Sequence, residues 1–466
     1  MKNSGYKTIV YVICTIAALG GLLFGLDQGF IANSLQSIRD VYGLSVNAGA
    51  EYAAVLASGG VFGALLSGLF ARFLGRKKSL VFAGFLFTSM SIVSALLPSF
   101  AILVLCRAGL GFAVGIASFI VPLYLSETAP ASIRGSMGTL FQLMITIGIF
   151  VIALTNVIIA RVFTSAHVAL PLMFLVIALF ALIMFIGSLT LPESPRWLML
   201  KGKKAETIKV LHKTLSTQKE IDFEIKEIEA TLHQDKSAMG FRSVFKGYFF
   251  KLIVMGVLLQ VFQQLVGINM MIYYAPTIFG YAGMTGIVAL MVVPTVNMLF
   301  TFPAIKLVEK WGRKKLLYVG AVAMFISLVA AGIAFQMIGA NADPALVAGL
   351  PKHILLVSIV LYIFGFAVSW GPVVWLVCSE VFPIQGREIG MTITTMVNWT
   401  FAGIVMAKSL AVMNTYGNAS IFYIFAAFCV LAILFVKFFV PETKGVTLEE
   451  IEMNLKSGKP LREIGA

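Results

Sequence analysis

The sequence predicts an all-α membrane protein, with twelve transmembrane helices arranged as two repeated six-helix bundles. Three observations carry this prediction. The composition is too apolar for a water-soluble chain: of 466 residues, 59% are apolar, 12% aromatic and only 12% charged, about half the charged share of an ordinary globular domain. Mean hydropathy is +0.95 over the whole length, so the excess is not confined to one anchor. Apolar stretches near the length of about 20 residues that a bilayer requires recur twelve times. Short charged motifs also return in the same order in the two halves of the chain.

In chain order, the spans are predicted roughly over 9–31, 52–71, 79–98, 101–125, 137–160 and 168–191, then over 249–275, 284–306, 316–338, 353–377, 389–413 and 419–440. This divides the chain into an amino-terminal bundle (1–192), a linker (193–248), a carboxy-terminal bundle (249–440) and a tail (441–466). The first span follows Lys2 and Lys7 as a signal peptide would, yet it is too long for one, contains Asp27 and precedes eleven others. A retained helix is expected. The linker mixes Lys201, Lys203, Lys204, Lys209, Glu220, Asp222, Glu224, Glu227 and Glu229 with periodic apolar residues, the pattern of short amphipathic helices. A solvated connection and a regulatory element are equally good readings of it.

The net charge is +14 and the pI near 9.6, a balance that in a soluble chain would suggest nucleic acid. Here it has a simpler use. With the amino terminus inside, about 29 of the 35 Lys and Arg fall in inner loops and tails, against Arg39, Arg161 and Lys352 outside. A plasma-membrane protein with both termini cytoplasmic, bound to lipid and not to nucleic acid, is expected, and a monomer with it. Cys14, Cys106, Cys378 and Cys429 all fall in apolar runs, and His167, His212, His233 and His353 lie at or between the ends of such runs. Neither set has the spacing of a disulfide framework or a metal site. No cofactor or metal is expected.

The repeat is specific. Gly75-Arg76-Lys77-Lys78 follows the second span and Gly312-Arg313-Lys314-Lys315 the eighth. Ser126-Glu127 with Pro130 and Arg134 follows the fourth, and Ser379-Glu380 with Pro383 and Arg387 the tenth. Pro192-Glu193-Ser194 ends the sixth and Pro441-Glu442-Thr443 the twelfth. Two halves of the same orientation place a substrate site between them.

These motifs, with Pro192-Glu193-Ser194-Pro195-Arg196, Gln263-Gln264-Leu265-Val266-Gly267-Ile268-Asn269 and Pro441-Glu442-Thr443-Lys444-Gly445, closely resemble the sugar porter family of the major facilitator superfamily over essentially the whole chain. Gly25-Leu26-Asp27, Cys106-Arg107 and the final Leu461-Arg462-Glu463-Ile464-Gly465-Ala466 resemble its bacterial proton-coupled members. The resemblance implies alternating access by rocking of the two halves, with a monosaccharide and a proton as co-substrates.

Four constellations carry the chemistry. Asp27 and Arg107 each cost about 2.5–3.5 kcal/mol at a helix centre on insertion scales, and both come to the outer third of the membrane, where they can pair. An intramembrane carboxylate suits a proton carrier, because burial favours its protonated form and a nearby Arg its ionised one. A static ion pair is the other reading. In proton-coupled relatives the matching residues are the proton site and its partner, while facilitators typically have an uncharged residue in place of the Asp.

The second set is neutral. Gln142, Gln263, Gln264, Asn269, Asn297 and Asn398 lie at membrane depth, and amides satisfy sugar hydroxyls without buried charge. Interhelical hydrogen bonding is the competing use of any one of them. Gln260, Gln263 and Gln264 share a helix face, which Asn269 joins only if the helix distorts near Gly267. The resemblance places all six amides at sugar-contact positions. The third set is aromatic: Trp375 follows Gly371-Pro372, a pair that bends or breaks the tenth helix, and a ring there can lie on the C–H face of a pyranose. Family likeness makes Trp375 a sugar contact. Gly371 is grouped with it, Trp399 and Trp370 are weaker candidates, and Tyr273 and Tyr274 are gate candidates. The fourth set is charged: Arg72, Arg76, Glu127, Arg134 and Glu193, then Glu309, Arg313, Glu380, Arg387 and Glu442. Basic loops alone would satisfy the positive-inside rule. The resemblance implies salt bridges that close the inner side, better founded in the second half, which has Glu309, than in the first, where Phe73-Leu74 stands in place of an acid.

A proton-coupled symporter for galactose, glucose, xylose or arabinose is the expected function, with an uncoupled sugar facilitator as the alternative. A membrane enzyme would need a nucleophile, metal cluster or paired acids at depth. A sugar sensor on the same fold would be expected to carry a long signalling tail.

Overall fold

The computed structural model describes residues 8–130, 133–234, 247–339, 349–383, 386–446, 453–455 and 457–465. The first bundle comprises α1 (Thr8–Tyr42), α2 (Val46–Phe73), α3 (Arg76–Ala95), α4 (Phe100–Thr128), α5 (Arg134–Val162) and α6 (Ala166–Thr190). Three short helices follow: α7 (Pro195–Leu200), α8 (Lys204–Thr214) and α9 (Gln218–Gln234). In the second bundle α10 (Gly247–Leu265) and α11 (Ile268–Tyr281) share one span, and so do α14 (Leu350–Val368) and α15 (Trp370–Val381). The remaining spans are α12 (Ile287–Trp311), α13 (Arg313–Ile338), α16 (Arg387–Tyr416) and α17 (Ser420–Phe439). The described residues thus contain 12 helical segments long and apolar enough to cross a membrane.

The predicted spans are all present, with one clear extension. α1 runs past residue 31 to Tyr42, because polar side chains there support the helix instead of ending it: Gln36 Nε2 donates to Asp40 Oδ1 at 2.7 Å, and Arg39 Nη1 to Gln36 Oε1 at 3.2 Å. Both expected breaks occur. Gly267, at φ +97, separates α10 from α11, a left-handed conformation that only a residue without Cβ adopts cheaply. In the tenth span the break falls at Ser369, just ahead of Gly371-Pro372. Pro372 has no N–H to offer the carbonyl four residues back and its ring would crowd that carbonyl, which disfavours a continuous helix, and the chain restarts with Pro372 in the first turn of α15.

The repeat has a physical basis at Gly75 and Gly312. Both take a positive φ, +88 and +84, and a Cβ at either would collide with the carboxylate of Glu193 or Glu442 respectively. Each glycine turns the chain sharply between two antiparallel spans and leaves the next helix's N–H groups open to an anion. Within the bundles α1 packs on α5, α2 on α4, α3 on α6, and α13 on both α14 and α17; between them, α2 packs on α16 and α5 on α12. Large apolar side chains such as Phe62, Phe85, Leu105 and Leu179 are exposed on the outer surface, as a lipid-facing belt requires. The linker helices pack through Leu211, Leu215 and Ile221. Their Lys204 and Glu229 pair at 2.6 Å.

Candidate functional site

Between the two bundles lies a narrow cavity lined by side chains of both halves. Its polar wall is made of Gln28, Gln142, Gln263, Gln264, Asn269, Asn297 and Asn398 with the indoles of Trp375 and Trp399. Phe24, Ile145, Ile149, Ile268, Ile272, Phe366 and Ala402 supply the rest, and no charged side chain is among the lining residues. All six amides expected from the sequence therefore reach one cavity. Such a wall offers donors and acceptors together, which suits a neutral polyol better than an ion.

The amides divide by what already holds them. Asn398 donates through Nδ2 to Gln260 Oε1 at 2.6 Å and to Gln263 Oε1 at 2.8 Å. Gln263 in turn donates through Nε2 to the carbonyls of Trp370 at 2.8 Å and Gly371 at 3.3 Å. Three amides thus brace the broken tenth span, and Gly371 serves through its carbonyl without lining the cavity. Asn269 donates to Gln264 Oε1 and accepts from Gln28 Nε2. The turn at Gly267 is what swings Asn269 onto the face of Gln264, a juxtaposition a straight helix would forbid.

Two cavity atoms are buried without a hydrogen-bond partner: Asn297 Oδ1, on a residue 1% exposed, and Trp399 Nε1, on a residue 3% exposed. A buried acceptor and a buried donor left open each cost about 1–3 kcal/mol unless something fills them. Trp399 packs on Phe24 at 5.0 Å, and Trp375 stands edge-on to Phe141 at 6.1 Å. Trp370 is a different case. Its indole N–H donates to the Leu317 carbonyl at 2.9 Å and its ring is fully buried outside the cavity wall, so its candidacy is replaced by a packing role.

Asp27 lies one helical turn beyond Phe24 on α1. Arg107 Nη1 donates to its Oδ1 at 2.6 Å, with both side chains at 0% exposure. The remaining capacity is unused: Asp27 Oδ2 and Arg107 Nε and Nη2 have no hydrogen-bond partner. The Tyr52 ring lies 5.7 Å from the guanidinium, and Tyr273 interacts electrostatically with both members of the pair. Tyr274 points elsewhere in its own bundle, donating to the Met406 carbonyl at 2.9 Å. The two tyrosines grouped from the sequence therefore have different surroundings, and only Tyr273 faces the first half.

At the basic end of the bundles the charged set separates into three arrangements. Arg76 holds Glu127 through two bonds of 2.8 Å, and Arg313 holds Glu380 at 2.7 and 3.2 Å. These are repeat-equivalent pairs within one half. Glu193 and Glu442 cap helices: Glu193 accepts from the backbone N–H groups of Arg76, Lys77 and Ser194, and Glu442 from those of Arg313, Lys314 and Lys444. At these two positions the carboxylates accept from helix N-terminal N–H groups, where an anion is favoured. Burial holds the Glu193 carboxyl above the usual range, with the three N–H groups pulling the other way.

The third arrangement crosses the halves. Arg76 Nη2 reaches Glu388 Oε1 at 3.2 Å, and Arg72 adds attraction to the same carboxylate. Glu388 escaped the sequence comparison because it follows Arg387 as Gly135 follows Arg134, so its repeat counterpart carries no charge. Glu309 takes the reverse position, its carboxylate lying against Gly135 of the first half beside Arg313. Contacts therefore cross between the halves in both directions, Arg76 of the first half meeting Glu388 of the second and Glu309 of the second lying against Gly135 of the first. Arg387 Nε donates to the Phe382 carbonyl at 3.2 Å, and the Arg134 side chain lies outside the described residues. Among the described residues no group of three or more His, Cys, Asp or Glu could hold a metal ion.

Comparison with known proteins agrees with this architecture. The family model described as sugar (and other) transporter matches residues 13–455. The chain is 41% identical over 466 residues to the galactose-proton symporter of Escherichia coli (strain K12), covering 99% of this chain and 97% of that one. It is 36% identical over 457 residues to the arabinose-proton symporter of the same strain, covering 97% and 95%. Among solved structures, a proton:xylose symporter of the major facilitator superfamily bound to 6-bromo-6-deoxy-D-glucose superposes with a TM-score of 0.86 at 33% identity, covering 97% of this chain and 99% of that one. On the family match and these identities, the chain belongs to the sugar transporter family of the major facilitator superfamily, a family of transporters rather than enzymes.

Proposed function

We propose that this protein is a proton-coupled symporter that imports a monosaccharide by alternating access. The observation that carries the reading is the juxtaposition of an uncharged amide and indole cavity with a fully buried Asp27–Arg107 pair one helical turn away. Sugar hydroxyls fit the open Asn297 Oδ1 and Trp399 Nε1, while the indoles of Trp375 and Trp399 offer faces for the ring's C–H groups. Asp27 is the proposed proton carrier. Its open Oδ2 is where a proton can be held, and Arg107 favours release. Arg76–Glu388 and Glu309 beside Gly135 form the proposed inner gate, with Tyr273 on the opposite side of the cavity.

The basic end is assigned to the cytoplasm by the distribution of Lys and Arg, which puts both termini inside a bacterial inner membrane, and a single chain contains the whole site. The galactose, arabinose and xylose specificities named for relatives define the panel to test. Uptake of those labelled sugars and of glucose into reconstituted vesicles, with and without an imposed pH gradient, decides substrate and coupling together. Gradient-driven accumulation supports symport; mere equilibration at every gradient supports the uncoupled facilitator.

A further inference from the structure

Gln28 is the residue next to Asp27 on α1, and the proton pair and the sugar cavity both have a use for that turn of helix. Successive helical residues point about 100° apart, so the Asp27 side chain reaches Arg107 of α4 while Gln28, 7% exposed, lines the cavity. Its amide donates to Asn269 Oδ1, and Asn269 donates to Gln264 Oε1. Three amides are thereby strung in one direction, each N–H feeding the next C=O, from the first half into the second. Backbone on this stretch of α1 cannot shift without α5: a Cβ at Gly25 would meet the Ile145 backbone, and one at Gly29 would meet Ile149 at 3.0 Å. Movement of Asp27 therefore carries Gln28 with it.

We propose that Gln28 is a positioning residue that ties sugar occupancy to the proton state of Asp27. The inference rests on the symport reading above. Without sugar, Gln28 tethers α1 to Asn269 and Gln264. A sugar hydroxyl that takes Asn269 Oδ1 or Gln264 Oε1 displaces that tether and releases the turn that carries Asp27. Because linkage is reciprocal, a change in the proton affinity of Asp27 on sugar binding requires an equal change in sugar affinity on protonation. The groups facing Asp27 are Arg107 from α4, Tyr52 from α2 and Tyr273 from α11. The neighbours named on α5 are isoleucines, and α6 presents Phe174 to Phe30 one turn further on. Among these facing groups Arg107 is the cation, and Asp27 is the carboxylate whose proton occupancy the pH series addresses.

The test is sugar affinity by calorimetry from pH 5 to 9 for the full-length protein and for Gln28→Met and Gln28→Asn. Met keeps the length and volume without the amide; Asn keeps an amide but is one methylene too short to reach Asn269. In the wild type, the ratio of sugar Kd at the two ends of the pH range measures coupling. Both variants are expected to reduce that ratio about fivefold or more, as loss of one hydrogen bond between the two sites requires. An unchanged ratio in either folded variant overturns the proposal, and so does a Kd that weakens by the same factor at every pH, which describes a simple sugar contact. If Gln28→Met does not fold, Gln28→Asn decides alone, and if neither folds, the residue is a packing element and the proposal fails. Gradient-driven uptake by the wild type is measured in parallel: its absence overturns the symport reading itself, whereas its presence with an unchanged ratio overturns only the role of Gln28.

Discussion

Glu388→Gln is the substitution that isolates the inner gate. The wild-type contact is a single charge-assisted bond, Arg76 Nη2 to Glu388 Oε1 at 3.2 Å, with the Glu388 side chain 30% exposed and that of Arg76 3% exposed. A buried bond of this kind is worth about 1.5–3 kcal/mol, and the exposure of Glu388 reduces it toward about 1 kcal/mol. Arg76 keeps both bonds to Glu127 and its bond to the Ala71 carbonyl at 3.0 Å, so no buried charge is orphaned and the fold should persist. Because the bond joins the two halves, replacing its charged acceptor with a neutral amide should raise the population with an open inner side by up to about fivefold. Spin labels at Leu74→Cys and Trp311→Cys, on exposed positions of opposite halves, report that population as a distance distribution. The native cysteines are buried and should label poorly. Glu127→Gln is the control. It breaks a buried pair within one half, which costs about 3–5 kcal/mol, and should show chiefly as a lower melting temperature. An unchanged distance distribution in Glu388→Gln would refute the assignment of this bond to the gate.

Three further outcomes follow from the geometry. Asn297→Ala should weaken sugar binding by about 1–3 kcal/mol in calorimetry with nearly normal expression, because a buried hydroxyl loses its partner; unchanged affinity removes Asn297 from the site. Trp399→Phe, which deletes the open Nε1 donor together with the five-membered ring, should weaken binding by about 1 kcal/mol or more in calorimetry and lower the melting temperature through the space left beside Phe24. Glu442→Gln should lower thermal stability by about 1 kcal/mol through weaker capping of α13 while leaving sugar affinity unchanged, and a shifted affinity with an unchanged melting point would show that Glu442 belongs to the gate after all.

The sequence made the scaffold and most of the cavity legible for physical reasons that can be named. Twelve apolar runs have few alternatives in a bilayer, and Gly267 and Gly371-Pro372 mark helix breaks by their backbone chemistry. The amides were recognisable because a buried Gln or Asn needs a partner wherever it lies. Pairing was harder to read. Gln28 was overlooked beside the charge of Asp27, although it is also an amide at membrane depth. Glu388 was hidden by the repeat itself, since its counterpart is Gly135. A carboxylate in sequence does not announce whether it will meet a guanidinium or a helix end, and so Glu193 and Glu442 were grouped with the salt bridges they adjoin.

The central claim is that Asp27 couples proton movement to sugar movement, and the most direct measurement compares wild-type and Asp27→Asn protein in vesicles under a pH gradient. Asn preserves shape and hydrogen bonding but cannot titrate. One pH unit is worth about 1.4 kcal/mol, so with one proton per sugar the wild type should concentrate sugar about tenfold. The variant should exchange sugar for sugar at a comparable rate yet stop at equal concentrations. Vesicles of Asp27→Asn that still concentrate sugar against its gradient would contradict the account and return Asp27 to the role of a structural charge.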